Sequence, residues 1–312
     1  MSLDTSFDLK NIICSYLYDL KDTSNLYNLN KDHQNNIIII NLYDTPEIYF
    51  NRLNQQIIEQ NKYKNVEKLD VCYNKKIRNI NRMKNTLKIL NCAGYYCCID
   101  QKGISELNLK ELNACNNSKI KNVNHMKNTL RILNCGINSE IGQNGIVELN
   151  LIELNTAGNN KIENVNHMKK TLKKLICSFD STIDQNGISE LNLIELDAYN
   201  NKSIKNVNHM KETLKILYCG CNSGIDQNGI LELNLIELDA SCNEKVKNVN
   251  HMKETLKILN CCYGCGIDQD GISELNLIEL SAYGNDKIKI LNQMKNISDN
   301  ELNYNEKIQI ST

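Results

Sequence analysis

Four histidines recur at a fixed interval. His125, His167, His209 and His251 each sit in an Asn-His-Met triplet, 42 residues apart. Imidazole is a common metal ligand and general base, so metal binding is the first chemistry to weigh. Copies 42 residues apart lie two coils apart, about 10 Å at strand spacing. Zinc holds its ligands within about 2.1 Å, so these four cannot share one ion and read instead as polar residues of an outer face. The 14 cysteines offer thiolate chemistry. Cys92, Cys135, Cys177, Cys219 and Cys261 recur in register and read as a buried ladder of small apolar side chains. Cys219-Gly-Cys221 and Cys261-Cys262-x-x-Cys265 are the densest groups, but each contains one inward cysteine aimed away from its partners. There is no glycine-rich phosphate loop and no nucleophile–base constellation. The expectation is therefore a protein that is not an enzyme and carries no cofactor or metal.

The interval itself organises the chain. Leu-Asn-Leu-Ile-Glu-Leu begins at Leu149, Leu191, Leu233 and Leu275, with a Lys variant at Leu107. Thr-Leu-Lys-Ile-Leu or a close variant starts at Thr86, Thr129, Thr171, Thr213 and Thr255, the first interval being 43 because one extra residue sits within Tyr95–Cys98. Each period divides into two units of 21 on the template L-x-x-L-x-φ-x-x-N-x-x-φ, where φ is apolar. Eleven units start at Val66, Leu87, Leu109, Leu130, Leu151, Leu172, Leu193, Leu214, Leu235, Leu256 and Leu277.

Such units cannot bury an apolar face alone, but stacking gives them a continuous core. In L-x-x-L-x-φ the alternate side chains of a short strand point inward, and successive strands pair in parallel. The polar remainder of each unit is short, which predicts 3-10 turns and irregular loops on the outside.

This template resembles the leucine-rich repeat family over about three quarters of the chain. The resemblance implies an α/β solenoid: a curved parallel sheet with a short 3-10 or irregular convex side. The ninth position is Asn74, Asn117, Asn159, Asn201, Asn243 and Asn285 in the Leu-Ile-Glu-Leu-type units (type A here), and Tyr95, Asn138, Asp180, Asn222 and Gly264 in the others (type B). An amide both donates and accepts, so the type A column is expected to bridge loop backbones between coils.

On the strands, Lys88, Arg131, Lys173, Lys215 and Lys257 occupy the second position, and Glu111, Glu153, Glu195, Glu237 and Glu279 the third position of intervening strands. Mutual neutralisation across the sheet is expected. Beside them runs an apolar row that includes Ile216 and Ile236. Positions five, seven and eight vary while the framework stays fixed, and aromatics there are common interface anchors. The expected docking surface for a target protein is the concave face around Tyr73, Ile137, Phe179, Tyr199, Lys215, Ile216, Tyr218, Ile236, Glu237, Tyr263 and Tyr283.

The segment 1–62 lacks the repeat. Phe7, Leu9, Ile12, Ile13, Tyr16 and Leu17 have helical spacing, and Leu20, Leu26 and Leu29 continue the apolar pattern. Thr45-Pro46-Glu47 predicts a second helix running to about Gln60 and burying Ile48, Leu53 and Ile57, which would close the open end of the repeats. Residues 7–33 resemble an F-box at Ile12, Ile13, Tyr16, Leu17, Leu20, Leu26, Leu29 and Lys31. The family's opening Leu-Pro is absent, and His33 stands where an aromatic is usual. The resemblance implies docking of Ile12, Ile13, Tyr16, Leu17, Leu20, Leu26 and Leu29 to the Skp-type adaptor of a cullin–RING ubiquitin ligase. The expected organisation is an F-box-like segment at 1–40, a linker and capping helix at 41–62, repeats at 63–297 and a cap or tail at 298–312.

A net charge of −1 argues against a nucleic-acid partner, and the longest aliphatic run, Ile37–Ile40, is too short to span a membrane. The opening Met1-Ser-Leu-Asp lacks the features of a signal peptide, so a reducing, cytoplasmic setting is expected. The Asn- and Ile-rich composition resembles repeat proteins of giant DNA viruses of amoebae, which would make that the host cytoplasm. The function expected from the whole is a substrate-recruiting adaptor. A stand-alone repeat scaffold or decoy is the alternative.

Overall fold

A computed structural model describes residues 39–43 and 53–289, and the backbone of 308–309. The F-box-like residues and the expected helix start at Thr45 lie outside the described residues. The chain forms two compact units, 1–151 and 152–312.

In the first unit five short strands follow chain order: β1 (Asn41–Leu42), β2 (Lys68–Asp70), β3 (Ile89–Asn91), β4 (Glu111–Asn113) and β5 (Ile132–Asn134). All pair in parallel, leucine on leucine: Leu42 with Leu69, Leu69 with Leu90, Leu90 with Leu112 and Leu112 with Leu133. The second unit repeats the plan with β6 (Glu153–Asn155), β7 (Lys174–Ile176), β8 (Glu195–Asp197), β9 (Ile216–Tyr218), β10 (Glu237–Asp239), β11 (Ile258–Asn260) and β12 (Glu279–Ser281). Their pairings are likewise parallel and in register, and Ile308–Gln309 adds an antiparallel edge to β12. Each unit is thus a leucine-rich-repeat stack, with one strand per coil.

The core follows from the template. Leucines at positions one and four are buried in coil after coil, as are Cys92, Cys135, Cys177, Cys219 and Cys261 at position six. Burial pushes the thiols of this column far above their usual range, which keeps them protonated and unreactive. The return segments are 3-10 turns such as Asn124–Met126 and Asn186–Ile188, with α-helical turns at Gln55–Ile58 and Gln143–Ile146. Met126, Met168, Met210 and Met252 are buried beneath these turns.

Glycine permits the closest approach between coils. A Cβ on Gly103, Gly145, Gly187, Gly229 or Gly271 would fall 2.1–2.2 Å from a carbonyl oxygen of the preceding coil. In four of these turns an Asp three residues earlier accepts the glycine N–H: Asp100, Asp184, Asp226 and Asp268, at 2.9–3.0 Å.

Three expectations need correction. The helix after Pro46 has one described turn, Gln55–Ile58, capped by Asn54, whose Oδ1 accepts from Ile57 N. That cap leaves Leu53 buried ahead of the helix and turns Ile58, not Ile57, into the core. The stretch read as linker also contributes a strand: β1 lies 27 residues before its partner β2, and this longer coil escapes a 21-residue template. The strand charges, finally, do not form the expected Lys–Glu rows. Register sets position three against position three, so Glu237 faces Ile216 and Ile258 rather than a lysine. Ion pairs on or beside the strands include Lys88–Glu67 and Lys174–Glu195. The regular ion-pair row runs along the outside instead: Lys84–Glu106, Lys127–Glu148, Lys169–Glu190, Lys211–Glu232 and Lys253–Glu274. Each partner is about half exposed, so solvent screens the pairs and they add little stability.

Candidate protein-binding surface

Two sets of Asx side chains build many of the turns that follow the strands. At position five, Asx side chains accept the backbone N–H two residues on: Asp70 from Cys72, Asn113 from Cys115, Asp197 from Tyr199 and Asp239 from Ser241, at 2.8–3.1 Å. This is an Asx turn, and it directs the chain away from the sheet. Neighbouring caps also join side by side, Asn91 Nδ2 to Asp70 Oδ2 and Asn260 Nδ2 to Asp239 Oδ2, both at 2.9 Å.

At position nine the type A asparagines are buried. Asn201 Nδ2 donates to the Cys177 and Ile183 carbonyls of the preceding coil at 2.9 and 3.0 Å, and its Oδ1 accepts from Ser203 N and Ile204 N. Asn117, Asn243 and Asn285 make the same pair of donations, Asn74 donates to Leu53 O, and Asn159 Oδ1 accepts from Lys161 N. In type B coils the buried polar residue sits one place later. Ser139, Ser181 and Ser223 are buried while Asn138 and Asn222 are exposed, so the common template aligned the wrong residue in those coils.

Between these columns, position eight takes a left-handed backbone. It does so at Tyr73, Gly94, Asn116, Gly158, Phe179, Asn200, Cys221, Cys242, Tyr263 and Gly284; in the coil starting at Leu130, Asn138 adopts it instead. The position is therefore part of a turn and not of the strand face. Tyr73, Ile137, Phe179 and Tyr263 stand at position eight, and Tyr199 and Tyr283 at position seven. These six project from the turn row, whereas Lys215, Ile216, Tyr218, Ile236 and Glu237 belong to the strands or directly precede them. Within the second unit the residues read as one concave surface therefore divide between a strand row and a turn row.

Within the second unit the structure joins several of them. Phe179 and Tyr199 rings lie 5.5 Å apart, and Tyr263 and Tyr283 meet edge to face at 5.3 Å. Phe179, Tyr263, Tyr283 and Ile236 are 47–62% exposed, which is large for apolar side chains without a structural need to face water. Tyr218 Oη donates to Glu237 at 2.9 Å; burial and this carboxylate together push the phenol well above its usual range. Asp197, next to Tyr218 in register, has its carboxyl raised by burial, with Asp239 and Glu195 adding to the effect.

In the first unit Tyr73 and Ile137 are exposed, but a further pair went unnoticed in the sequence. Tyr95 and Tyr96 stack edge to face at 5.7 Å, with Lys75 Nζ 4.1 Å from the Tyr96 ring centre. The signal was the single inserted residue that lengthens one interval to 43.

The histidines are partners of the coil before them. His125, His209 and His251 place Nε2 3.1–3.2 Å from the carbonyls of Ile104, Ile188 and Ile230. A carbonyl only accepts, so Nε2 carries the proton. Partial burial lowers the pKa of all three, against the opposing effect of that hydrogen bond. Among the described residues no group of three or more His, Cys, Asp or Glu side chains is placed to hold a metal ion.

No protein-family model and no curated protein matches the sequence. Among solved structures, the chain is similar to the functional domain of InlJ from Listeria monocytogenes, described as including a cysteine ladder (22% identity, TM-score 0.46, 75% of this chain and 52% of that one). An internalin, InlF, from Listeria monocytogenes matches with 14% identity and TM-score 0.47, over 83% of this chain and 77% of that one. The TLR13–ssRNA13 complex matches with 16% identity and TM-score 0.43, over 78% of this chain and 34% of that one. The chain spans about half the length of the InlJ chain it matches.

Proposed function

We propose that this chain is a non-enzymatic protein-binding module, and that it recruits a target to a cullin–RING ubiquitin ligase. In this reading Ile12, Ile13, Tyr16, Leu17, Leu20, Leu26 and Leu29 dock on a Skp-type adaptor in the cytoplasm, the host cytoplasm if the chain is viral. The repeats hold the target. The role requires only proximity: two linked binding surfaces raise the effective concentration of one partner near the other.

The observation that carries the binding reading is the aromatic row, in which Phe179, Tyr263 and Tyr283 are exposed and Tyr199 is half-buried. Phe179 packs on Tyr199 and Tyr263 on Tyr283; Asp197 caps the Tyr199 turn, Asn260 caps the Tyr263 turn, and Phe179 N and Tyr263 N donate to the Tyr199 and Tyr283 carbonyls of the next coil. Rigid, amphipathic side chains on a preorganised backbone lose little entropy on binding. Support for the ligase link is the F-box-like spacing of residues 7–33.

Purified chain should bind a purified Skp-type adaptor, and the double substitution Ile13→Asp with Leu17→Asp should abolish that binding. Failure of the unmutated chain to bind removes the ligase reading. The alternative, a repeat scaffold with no ligase link, draws on the seating of Ile39–Leu42. Ile39 N donates to Lys62 O, and Glu67 N donates to Ile40 O, so the chain just ahead of the repeats already packs as part of the stack. Under that alternative, deleting residues 1–38 leaves target binding intact and lowers only thermal stability.

A further inference from the structure

Position eight of two consecutive coils is cysteine. Cys221 and Cys242 both have left-handed backbones, with φ of 51° and 57°, and both are partly exposed. The main chain seats them side by side. Cys221 N donates at 2.6 Å to the carbonyl of Ser241, the residue directly before Cys242, and Cys242 N donates to Cys262 O at 2.9 Å. Adjacent parallel chains run ~4.8 Å apart, within the ~4.4–6.8 Å between Cα atoms that a disulfide spans.

The side chains complete the approach. Cys221 Sγ donates to Tyr199 Oη at 2.6 Å, and burial together with the neighbouring Cys221 pushes the Cys242 thiol up. Gly220 leaves room for this: a Cβ there would fall 2.7 Å from the Tyr199 ring and 2.8 Å from Ser241 O. The position-six cysteines cannot react in the same way, because they are fully enclosed by the core.

We propose that Cys221 and Cys242 are an oxidation site that closes to a reversible disulfide, with a hydroperoxide as the oxidant. One thiolate attacks the O–O bond, becoming a sulfenic acid while the peroxide leaves as hydroxide and takes up a proton. The second sulfur then attacks the sulfenic sulfur, the S–S bond forms and a second water departs. Two S–H bonds are lost, and hydrogen peroxide is reduced to two waters. A dithiol reverses the step, as a reducing compartment requires. Closure takes the Cys221 thiol away from Tyr199, whose phenol is pushed above its usual range chiefly by that contact. The site thus alters one member of the Phe179–Tyr199 pair, and it exists whether or not that row binds a protein.

The test uses the full chain treated with hydrogen peroxide, alkylated, and digested without reductant for mass spectrometry. The expected product is one peptide pair joined through Cys221 and Cys242, two hydrogens lighter than the separate peptides, and restored by dithiothreitol. Cys242→Ser should eliminate that product and leave Cys221 as a mixed disulfide when glutathione is present. Titration of phenol absorbance should show one tyrosine ionising at lower pH after oxidation of the unmutated chain, and no change in Cys242→Ser. The proposal is overturned if both cysteines stay alkylated at peroxide levels that oxidise exposed thiols, or if either cross-links elsewhere.

Discussion

The side-chain amide of Asn201 spans two coils, donating to the Cys177 carbonyl at 2.9 Å while its Oδ1 accepts from Ser203 N. Four hydrogen bonds meet on this buried residue, counting those to Ile183 O and Ile204 N. Asn201→Leu strands those backbone groups and should cost about 1–3 kcal/mol. Asn222→Leu, at the corresponding but exposed place in the next coil, should shift stability by less than about 0.5 kcal/mol. Denaturant midpoints of the two variants measure the contrast, and equal midpoints refute the ladder.

Gly187→Ala and Gly264→Ala separate crowding from backbone strain. The first drives a methyl to 2.1 Å from the Glu163 carbonyl oxygen, forcing two coils apart at a cost of about 1–3 kcal/mol or more. The second meets nothing within 4 Å but must hold φ at +62°, costing about 1 kcal/mol. Thermal melts should rank them in that order.

Stability should fall as the solution is acidified below neutrality. The folded chain holds His125, His209 and His251 at lowered pKa, so near the ordinary histidine value of 6.5 the unfolded chain binds protons that the folded chain refuses. The contribution is complete above that value and is lost as pH drops toward the folded-state value, levelling below it. Replacing all three by Gln, which keeps a donor for the carbonyl, should flatten the unfolding free energy against pH between 7.5 and about 5.5. An unchanged slope would show that other groups set it.

Asp239 accepts from Ser241 N, Ser241 Oγ and Asn260 Nδ2. Asp239→Ala should lose about 1–2 kcal/mol. Combined with Asn260→Ala, the total should fall short of the sum of the two, because the pair shares one hydrogen bond. Strict additivity in denaturant unfolding would mean that the link between caps contributes nothing.

The stack was legible because its signal is redundant. Leu196, Leu217, Leu238 and Leu259 occupy one column, and any of them alone would have placed the strand. The polar scaffolding was less legible, because Asn abounds at positions with and without a task. Asp70, Asn113 and Asp239 looked like variable surface residues until the Asx turns appeared. Gln101, Gln185 and Gln227 each bracket the backbone of the following coil, which no local pattern announces. Tyr73, Phe179, Tyr263 and Tyr283 are exposed as expected, whereas Tyr199 and Tyr218 are half-buried, and Tyr263 stands on a left-handed turn capped by Asn260 rather than on the strand.

The type A asparagines Asn117, Asn201, Asn243 and Asn285 reach back to carbonyls in a type B coil, so the two kinds of coil are matched in alternation. A recombination event that removed 21 residues would set like against like and leave the amide of the next asparagine facing a serine-bearing loop's counterpart in the wrong frame. One that removed or copied 42 would restore every partner. Gain or loss of coils in pairs keeps each such asparagine beside the kind of coil that it now bonds.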